Sequence, residues 1–124
     1  MLGLVAYFWD SYAIIELIAG NPNYAKYIQE RVFITIFNLA EIYWIALREY
    51  TEQEADFIYN KYKEGLVNIN DEVLKEAIKF RKEHKKKNLS YTDCIGYIYA
   101  IKNKLKFLTG DKEFENMPNV EFVK

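Results

Sequence analysis

The stretch "LSYTDCIGYIYAIKNKLKFLTGD", residues 89–111, predicts a helix followed directly by a strand. Ser90 and Asp93 have the spacing of a capping box, which marks the beginning of a helix. Apolar residues then occupy most helical positions, as in a buried helix, and residues 104–110 have the pattern of a buried strand. Asp111 follows that strand directly. The unit therefore has a carboxylate at each end, and each acid fits either a helix cap or one half of a site.

The same alternation of strand and helix patterns extends over the whole chain. Strands are predicted at 2–9, 31–36, 66–69, 104–110 and 119–123. Helices are predicted at 11–19, 23–30, 38–50, 51–65, 71–87 and from 90 onward. Asn38 is the predicted cap of the third helix, with Glu41 at the capping-box position. Alternating elements form βαβ units, so we expect one α/β domain over residues 1–124. It should be a three-layer α/β/α sandwich with a central, mostly parallel sheet of about five strands.

Composition excludes several classes of protein. The 124 residues are 51% hydrophobic and 17% aromatic, which is incompatible with a disordered chain. The formal net charge of −1 provides no overall attraction to nucleic acid, so any such contact must be local. Cys94 is the only cysteine, which excludes an intramolecular disulfide and fits a reducing compartment. Since the N-terminus has no basic signal-peptide region and no apolar run is long enough to span a bilayer, we expect a cytoplasmic protein.

Carboxylates follow the predicted strands. In an open parallel sheet, ligands bind beyond the carboxyl ends of the strands. Asp10 follows the first strand, Glu41 lies one turn into the helix after the second, and Asp111 follows the strand at 104–110. Asp93 joins them if the loop before it returns to the same edge of the sheet. Each acid taken alone also fits a cap or turn position.

A cap does not account for four acids meeting at one edge. Carboxylates that converge in a partly desolvated cleft repel one another, and a bound divalent cation turns this repulsion into coordination. Oxygen ligands without His or Cys favour Mg²⁺ or Mn²⁺ over Zn²⁺. Such a site is suited to metal-assisted hydrolysis of a phosphate ester, with the cation activating a water.

At these residues the sequence resembles the PIN-domain nucleases, especially the small VapC-like ribonuclease toxins of toxin–antitoxin pairs. The resemblance rests on "FWDSYAIIE" (8–16), "NLAEIYW" (38–44), "LSYTDCIGYIYA" (89–100) and "LTGDKEF" (108–114), in the family's order. The last of these is close to the family's T-x-D-x-x-F and is the most specific. One departure is Tyr12, since the family usually has a small polar residue at that position.

The resemblance implies a function and a set of site residues. It implies an endoribonuclease that hydrolyses RNA with Mg²⁺ or Mn²⁺ as its cofactor, leaves a 5′-phosphate, and forms a homodimer held inactive by a VapB-like antitoxin. Asp10 would be the central metal ligand and catalytic residue. Glu41, Asp93 and Asp111 would complete the catalytic and metal-binding set. Ser11 and Thr109 would be polar neighbours that contact these acids rather than the metal. Tyr12 would narrow the cleft or stack on a base.

A basic run at the end of the fifth predicted helix has two interpretations. Its members are Arg81, Lys82, Lys85, Lys86 and Lys87. Lysines at the end of a helix are typically solvated and favoured by the helix dipole. Their position just before the loop to Asp93 also fits contact with RNA phosphate. Removing the four site carboxylates from the net charge of −1 leaves +3 on the rest of the chain, which favours RNA slightly.

Other functions remain open from the sequence. One alternative is a PIN nuclease of RNA processing that is not a toxin, and another is a catalytically weak PIN module that binds RNA or a protein partner. A receiver-like signalling domain also groups acids at strand ends. It should have a further acidic pair and a lysine after its last strand, and neither is evident here.

Overall fold

A parallel four-stranded sheet forms the centre of the molecule. The structure is a computed structural model that describes residues 4–124, so the first two residues of the predicted strand at 2–9 lie outside it. The strands are β1 (Tyr7–Trp9), β2 (Val32–Phe33), β3 (Lys106–Thr109) and β4 (Val120–Phe122). Their order across the sheet is β2-β1-β3-β4, and every neighbouring pair is parallel. The predicted α/β class with a parallel sheet is confirmed.

The predicted strand at 66–69 is wrong as a full strand. Only Leu66 pairs, through a single parallel bridge to Ile34. The bridge is held by bonds from Ile34 N to the Gly65 carbonyl and from Val67 N to the Ile34 carbonyl, at 3.0 and 2.8 Å. The chain then leaves the sheet because Asn70 caps the next helix, with its side chain accepting from Val73 N at 2.9 Å. The described residues therefore form four strands in place of the predicted five.

The helices agree with the sequence pattern except at some ends. They are α1 (Ser11–Ile18), α2 (Ile36–Glu49), α3 (Glu52–Lys63), α4 (Asp71–Glu83) and α5 (Tyr91–Lys102). The helix predicted at 23–30 is a 3-10 helix over Pro22–Tyr27, and α4 ends at Glu83, before the lysines at 85–87. The prediction that Asn38 caps the third helix is wrong. Thr35 caps α2 and Asn38 is its capping-box partner, so β2 ends earlier than predicted and Glu41 has no capping role.

Two apolar clusters fill the two faces of the sheet, which confirms the three layers. Alternate residues of a strand point to opposite faces. Phe8 and Phe107 accordingly pack with α4 and α5 on one face, while Trp9 and Leu108 pack with α1 and α2 on the other. Cys94 is fully buried in the first cluster. No helix within residues 4–124 has both the length and the apolar character needed to cross a membrane.

The position of α5 brings its first turn to the carboxyl edge of the sheet. A helix that precedes a parallel strand runs back from the carboxyl edge to the amino edge, so it begins where the neighbouring strands end. The capping box predicted at its start is present: Ser90 Oγ accepts from Asp93 N at 3.0 Å, and Asp93 Oδ2 accepts from Ser90 N at 2.9 Å. The loop before Asp93 therefore returns to the edge where β1 and β3 end.

A candidate acidic active site at the carboxyl edge of the sheet

Asp10 lies at the centre of the acidic edge. It follows β1 directly and occupies the N-cap position of α1, yet its side chain makes no capping hydrogen bond. Its carboxylate accepts instead from Thr109 Oγ1, at 2.6 Å from Oδ2. Asp10 is only 4% exposed. The interpretation of this acid as a simple helix cap is therefore wrong, since the carboxylate is directed across the sheet edge to the end of β3.

Thr109 connects Asp10 with Asp111. Its hydroxyl donates to Asp10 and accepts from Asp111 N at 3.0 Å. The Asp111 side chain caps the 3-10 helix Lys112–Phe114, since Oδ1 accepts from Glu113 N at 3.0 Å. Asp111 is thus both a cap and a neighbour of Asp10. Thr109 was predicted to be a polar neighbour of the acids. It hydrogen-bonds to the Asp10 carboxylate and to the backbone N–H of Asp111.

A hydrogen-bonded chain of side chains holds Glu41. Ser11 Oγ donates to Glu41 Oε1 at 2.6 Å and accepts from Asn38 Nδ2 at 2.9 Å. Thr35 Oγ1 in turn donates to Asn38 Oδ1 at 2.7 Å, and both Thr35 and Asn38 are buried. The N-terminal cap of α2 therefore fixes the orientation of Ser11, which fixes one oxygen of Glu41. Sequence reasoning missed Thr35 and this role of Asn38. The T-x-x-N capping-box spacing at 35–38 was the available signal.

Burial and mutual repulsion raise the pKa of two of the four acids. The pKa of Asp10 is raised to about 8, first by burial and then by the charge of Asp93, while the Thr109 hydrogen bond lowers it. The charges of Asp111 and Glu41 contribute smaller increases to this value. Burial also raises the pKa of Asp93 to about 6, against the opposing hydrogen bonds from Ser90. All four carboxylates therefore lie close enough to interact electrostatically.

The donor set suits a hard divalent cation. Along the described chain, no lysine, arginine or histidine forms an ion pair with any of the four acids. Oxygen-only ligands with this excess of negative charge match Mg²⁺ or Mn²⁺. Nowhere in residues 4–124, however, do three His, Cys, Asp or Glu side chains already stand in an arrangement that could hold an ion. Asp10, Glu41 and Asp93 each use one carboxylate oxygen for a protein hydrogen bond.

An open pocket adjoins the acidic edge between α1 and α2. Its volume is about 420 Å³, and Ser11, Tyr12, Glu41 and Trp44 contribute to its walls. The half-buried Tyr12 ring packs against Gly110, where an added Cβ would collide with it and with the Val123 carbonyl. Tyr12 thus lines this pocket and also packs on the turn between Thr109 and Asp111.

The basic run spans the end of α4 and the loop that leads to α5, whose first turn contains Asp93. Arg81, Lys82, Lys85 and Lys87 border a second pocket at the start of α5, whereas Lys86 is exposed and does not line it. Lys87 Nζ donates to the Glu113 carbonyl at 3.1 Å. This contact links the basic run to the segment that follows Asp111, so the cationic and acidic regions are neighbours at one edge of the molecule.

Solved structures with the same fold cover almost the whole chain. The VapC20 toxin of Mycobacterium tuberculosis, described as cleaving the sarcin–ricin loop, superposes with a TM-score of 0.78 at 15% identity, covering 96% of this chain and 100% of that chain. A toxin–antitoxin complex from Klebsiella pneumoniae gives 0.74 at 20% identity, covering 94% and 96%. VapBC2 from Rickettsia felis, bound to a promoter DNA fragment, gives 0.74 at 14% identity, covering 97% and 100%.

Sequence comparison assigns the family. No curated protein matches the chain at a significant level. The model of the PIN domain, however, matches residues 7–120, a span that includes β1 through the start of β4 and all four acids. The structural neighbours independently have the same arrangement of helices around a parallel sheet. The chain therefore belongs to the PIN-domain family.

Proposed function

We propose that residues 1–124 form a single PIN nuclease domain that hydrolyses RNA with the help of Mg²⁺ or Mn²⁺. The observation that carries this proposal is the convergence of Glu41, Asp93 and Asp111 around the buried Asp10, with no cation among residues 4–124 paired to them. Such a group of charges is costly unless a cation neutralises it. The structural likeness to VapC20, a toxin described as cleaving RNA of the sarcin–ricin loop, favours RNA as the substrate class.

In this proposal the four acids bind the cation, and polar neighbours orient them. Thr109 holds Asp10, Ser11 holds Glu41 and Ser90 holds Asp93, each through one carboxylate oxygen. When bound, a divalent cation would neutralise these acids, activate a water and stabilise charge on the phosphate. Hydrolysis adds that water across a phosphodiester bond and leaves a 5′-phosphate and a 3′-hydroxyl. Hydrogen bonds to metal-binding side chains typically change metal affinity or activity by about 10–100-fold.

The decisive experiment compares two variants of the proposed site with one acid outside it. Asp10→Asn and Asp93→Asn should each lower the rate of RNA cleavage by roughly 10³-fold, because several kcal/mol of charge stabilisation is lost. Asp71→Asn, at the exposed first position of α4, is the matched control and should cleave like the original chain. EDTA should abolish cleavage, and Mg²⁺ or Mn²⁺ should restore it. Cleavage that survives both site substitutions in a folded protein would refute the proposal.

We further propose a cytoplasmic homodimer whose activity a VapB-like antitoxin blocks. Support comes from the structural neighbours, several of which are toxin–antitoxin complexes. Exposed apolar residues on α2 provide a surface for such contacts, with Ile36 and Trp44 59% and 61% exposed. Light scattering of the purified chain should give twice the monomer mass. A monomeric mass at micromolar concentration would contradict the dimer.

A second candidate is a PIN module that binds RNA or a protein partner with little catalysis. It is favoured by the exposed apolar residues Ile36 and Trp44 and by the basic run, which offer binding surfaces outside the acidic edge. Titration with Mn²⁺ during thermal unfolding separates the two. A nuclease site should raise the unfolding temperature at submillimolar Mn²⁺, and the rise should be lost in Asp10→Asn. A PIN nuclease of RNA processing would behave as the toxin does in this assay but would lack a cognate antitoxin.

A further inference from the structure

A small pocket between the end of α4 and the start of α5 has the chemistry of a nucleotide subsite. Its volume is about 290 Å³, at the small end of the roughly 300–1,000 Å³ typical of ligand pockets. Ile78 and Leu89 supply an apolar floor, Tyr91 an aromatic wall, and Arg81, Lys82 and Lys85 a cationic rim. A flat ring, an apolar floor and a cationic rim together match a base and its phosphates.

The Tyr91 side chain is exposed at the rim of this pocket. The Arg81 guanidinium lies over the ring with its carbon 4.2 Å from the ring centroid, and the residue remains 59% exposed. Arg81 is itself fixed, since its Nε donates to the Leu89 carbonyl at 3.0 Å. The pair is therefore a preformed platform, with the guanidinium over the ring and the tyrosine still largely exposed. A preformed platform loses little side-chain entropy when a ligand binds.

The cations around this platform have no carboxylate partners within the described residues. Ion pairs occur there at Arg48 and Lys102, and none involves Arg81 or the lysines that follow it. Lys102, at the other end of α5, shows the contrast because it pairs with both Glu72 and Glu76. Unpaired lysines in a cluster are available to phosphate, whereas paired lysines must first give up a partner.

The pocket borders the acidic edge. Tyr91 and Asp93 share the first turn of α5, and Lys87 contacts the Glu113 carbonyl just beyond Asp111. A strand of RNA whose phosphate sits at the four acids must have neighbouring nucleotides within reach of this turn. The acids repel a polyanion, so an adjacent cationic pocket would also offset part of the electrostatic cost of bringing RNA to the site.

We propose that this pocket takes an unpaired base of the RNA substrate against the exposed ring of Tyr91, with flanking phosphates on Lys82 and Lys85. The inference rests on the proposed nuclease function for its substrate class and specifies single-stranded or looped RNA, since a paired base does not expose its face to a side chain. An acidic peptide would use the lysines but has no need of the flat ring.

Binding of a fluorescein-labelled single-stranded RNA to the full chain tests this. Measurements use the Asp10→Asn background with Mg²⁺, in which the RNA should stay intact. Tyr91→Ala should raise Kd about tenfold, as expected for loss of one base–aromatic stack, and leave the salt dependence of Kd unchanged. Tyr91→Phe should bind like the parent. Lys82→Ala should weaken binding and lower the slope of log Kd against log salt by roughly one phosphate contact.

Matched controls separate the pocket from general surface effects. Phe57→Ala removes another exposed aromatic, 71% exposed on α3, and Lys63→Ala removes another lysine in the last turn of a helix. Both should bind RNA like the parent, with the fold of every variant checked by circular dichroism. The inference is overturned if Tyr91→Ala matches Phe57→Ala, as it would if the pocket received a peptide. It is also overturned if Tyr91→Phe loses as much affinity as Tyr91→Ala, or if Tyr91→Ala changes the salt slope.

The outcome is separable from that of the nuclease proposal. A chain that does not cleave RNA but binds it through Tyr91 would refute the nuclease and support the subsite. A chain that cleaves RNA with metal, yet binds RNA equally well when it has Tyr91→Ala, would support the nuclease and refute the subsite.

Discussion

At the scale of the residue, burial and neighbouring negative charges raise the pKa of Asp10, and one hydrogen bond from Thr109 opposes them. A carboxylate that is 4% exposed has lost most of its hydration, and no cation replaces it along the described chain. One hydroxyl bond at 2.6 Å opposes both burial and the neighbouring negative charges but does not cancel them. Asp10 therefore retains a proton to higher pH than an ordinary aspartate, and a bound divalent cation would compete for the same oxygens.

This raised pKa predicts how stability depends on pH without added metal. The folded state binds the Asp10 and Asp93 protons more tightly than the unfolded state, whose aspartate pKa is near 3.9. The resulting stabilisation is fully present below about pH 4 and is lost as the pH rises through about 6 for Asp93 and about 8 for Asp10. Urea unfolding in EDTA should show this decline, on the order of a few kcal/mol.

Asp10→Asn provides the control for this pH profile. It should flatten the part of the decline between pH 6 and 8, because asparagine does not titrate. Adding Mn²⁺ should stabilise the original chain most at pH 8, where the carboxylates are charged. A stability that rises from pH 4 to pH 8 in EDTA, relative to Asp10→Asn, would contradict the assignment.

At the scale of the element, a capping box begins both α3 and α5 but has different consequences in the two helices. Ser90 and Asp93 form a capping box at the start of α5, and Thr51 and Glu54 form one at the start of α3. Both boxes satisfy backbone N–H groups and stabilise their helix. Only the box of α5 also holds an acid that raises the pKa of Asp10, so Asp93 is a cap and a member of the acidic edge at once.

This difference can be measured with Ser90→Ala and Thr51→Ala. Each should cost about 1 kcal/mol of unfolding free energy, the usual loss for an N-cap. Ser90→Ala should in addition lower RNA cleavage by about 10–100-fold, because one Asp93 oxygen loses its orienting partner. Thr51→Ala should leave the cleavage rate unchanged. Equal cleavage rates for the two variants would mean that the Ser90 box has only a structural role.

At the scale of the whole molecule, the sheet and α5 meet at a glycine. Gly96 is buried, and a Cβ there would lie 2.6 Å from Phe8 Cε1 and 3.3 Å from Phe107 Cε1. These two rings stack at 5.9 Å between centroids and form the centre of one apolar cluster. The close approach of α5 to β1 and β3 therefore depends on the missing side chain, and the first turn of α5 is placed relative to Asp10 by this contact.

Gly96→Ala tests the contact. Overpacking typically costs about 1–3 kcal/mol, and alanine returns about 1 kcal/mol of helix propensity, so we expect net destabilisation with a fall of a few degrees in Tm. The double variant Gly96→Ala/Phe8→Leu should lose less than the sum of the two single changes, since the smaller side chain makes room for the added methyl. Additive losses would indicate that the two residues do not interact.

Much of this molecule is readable from local sequence chemistry. The capping box at 90–93, the helices that begin at residues 11, 71 and 91, and the apolar runs of β1 and β3 all follow from patterns spanning a few residues. The same patterns predict that Asp10 follows β1, that Glu41 lies in the helix after β2, and that Asp111 follows β3. They cannot reveal contacts between distant segments, because pairing of strands and side chains depends on how the layers pack.

The packing of the helices against the sheet determined the contacts between distant segments. Asp10 and Thr109 are 99 residues apart in the chain and meet only because β1 and β3 are neighbours in the sheet. The sequence pattern assigned the α2 cap to Asn38, but buried Thr35 takes that role, which frees Asn38 to hold Ser11 and through it Glu41. The strand at 66–69 reduces to one bridge since Asn70 begins α4 so soon after it. The acids are a property of the sequence, whereas their convergence follows from parallel strands ending at one edge and from α5 beginning there.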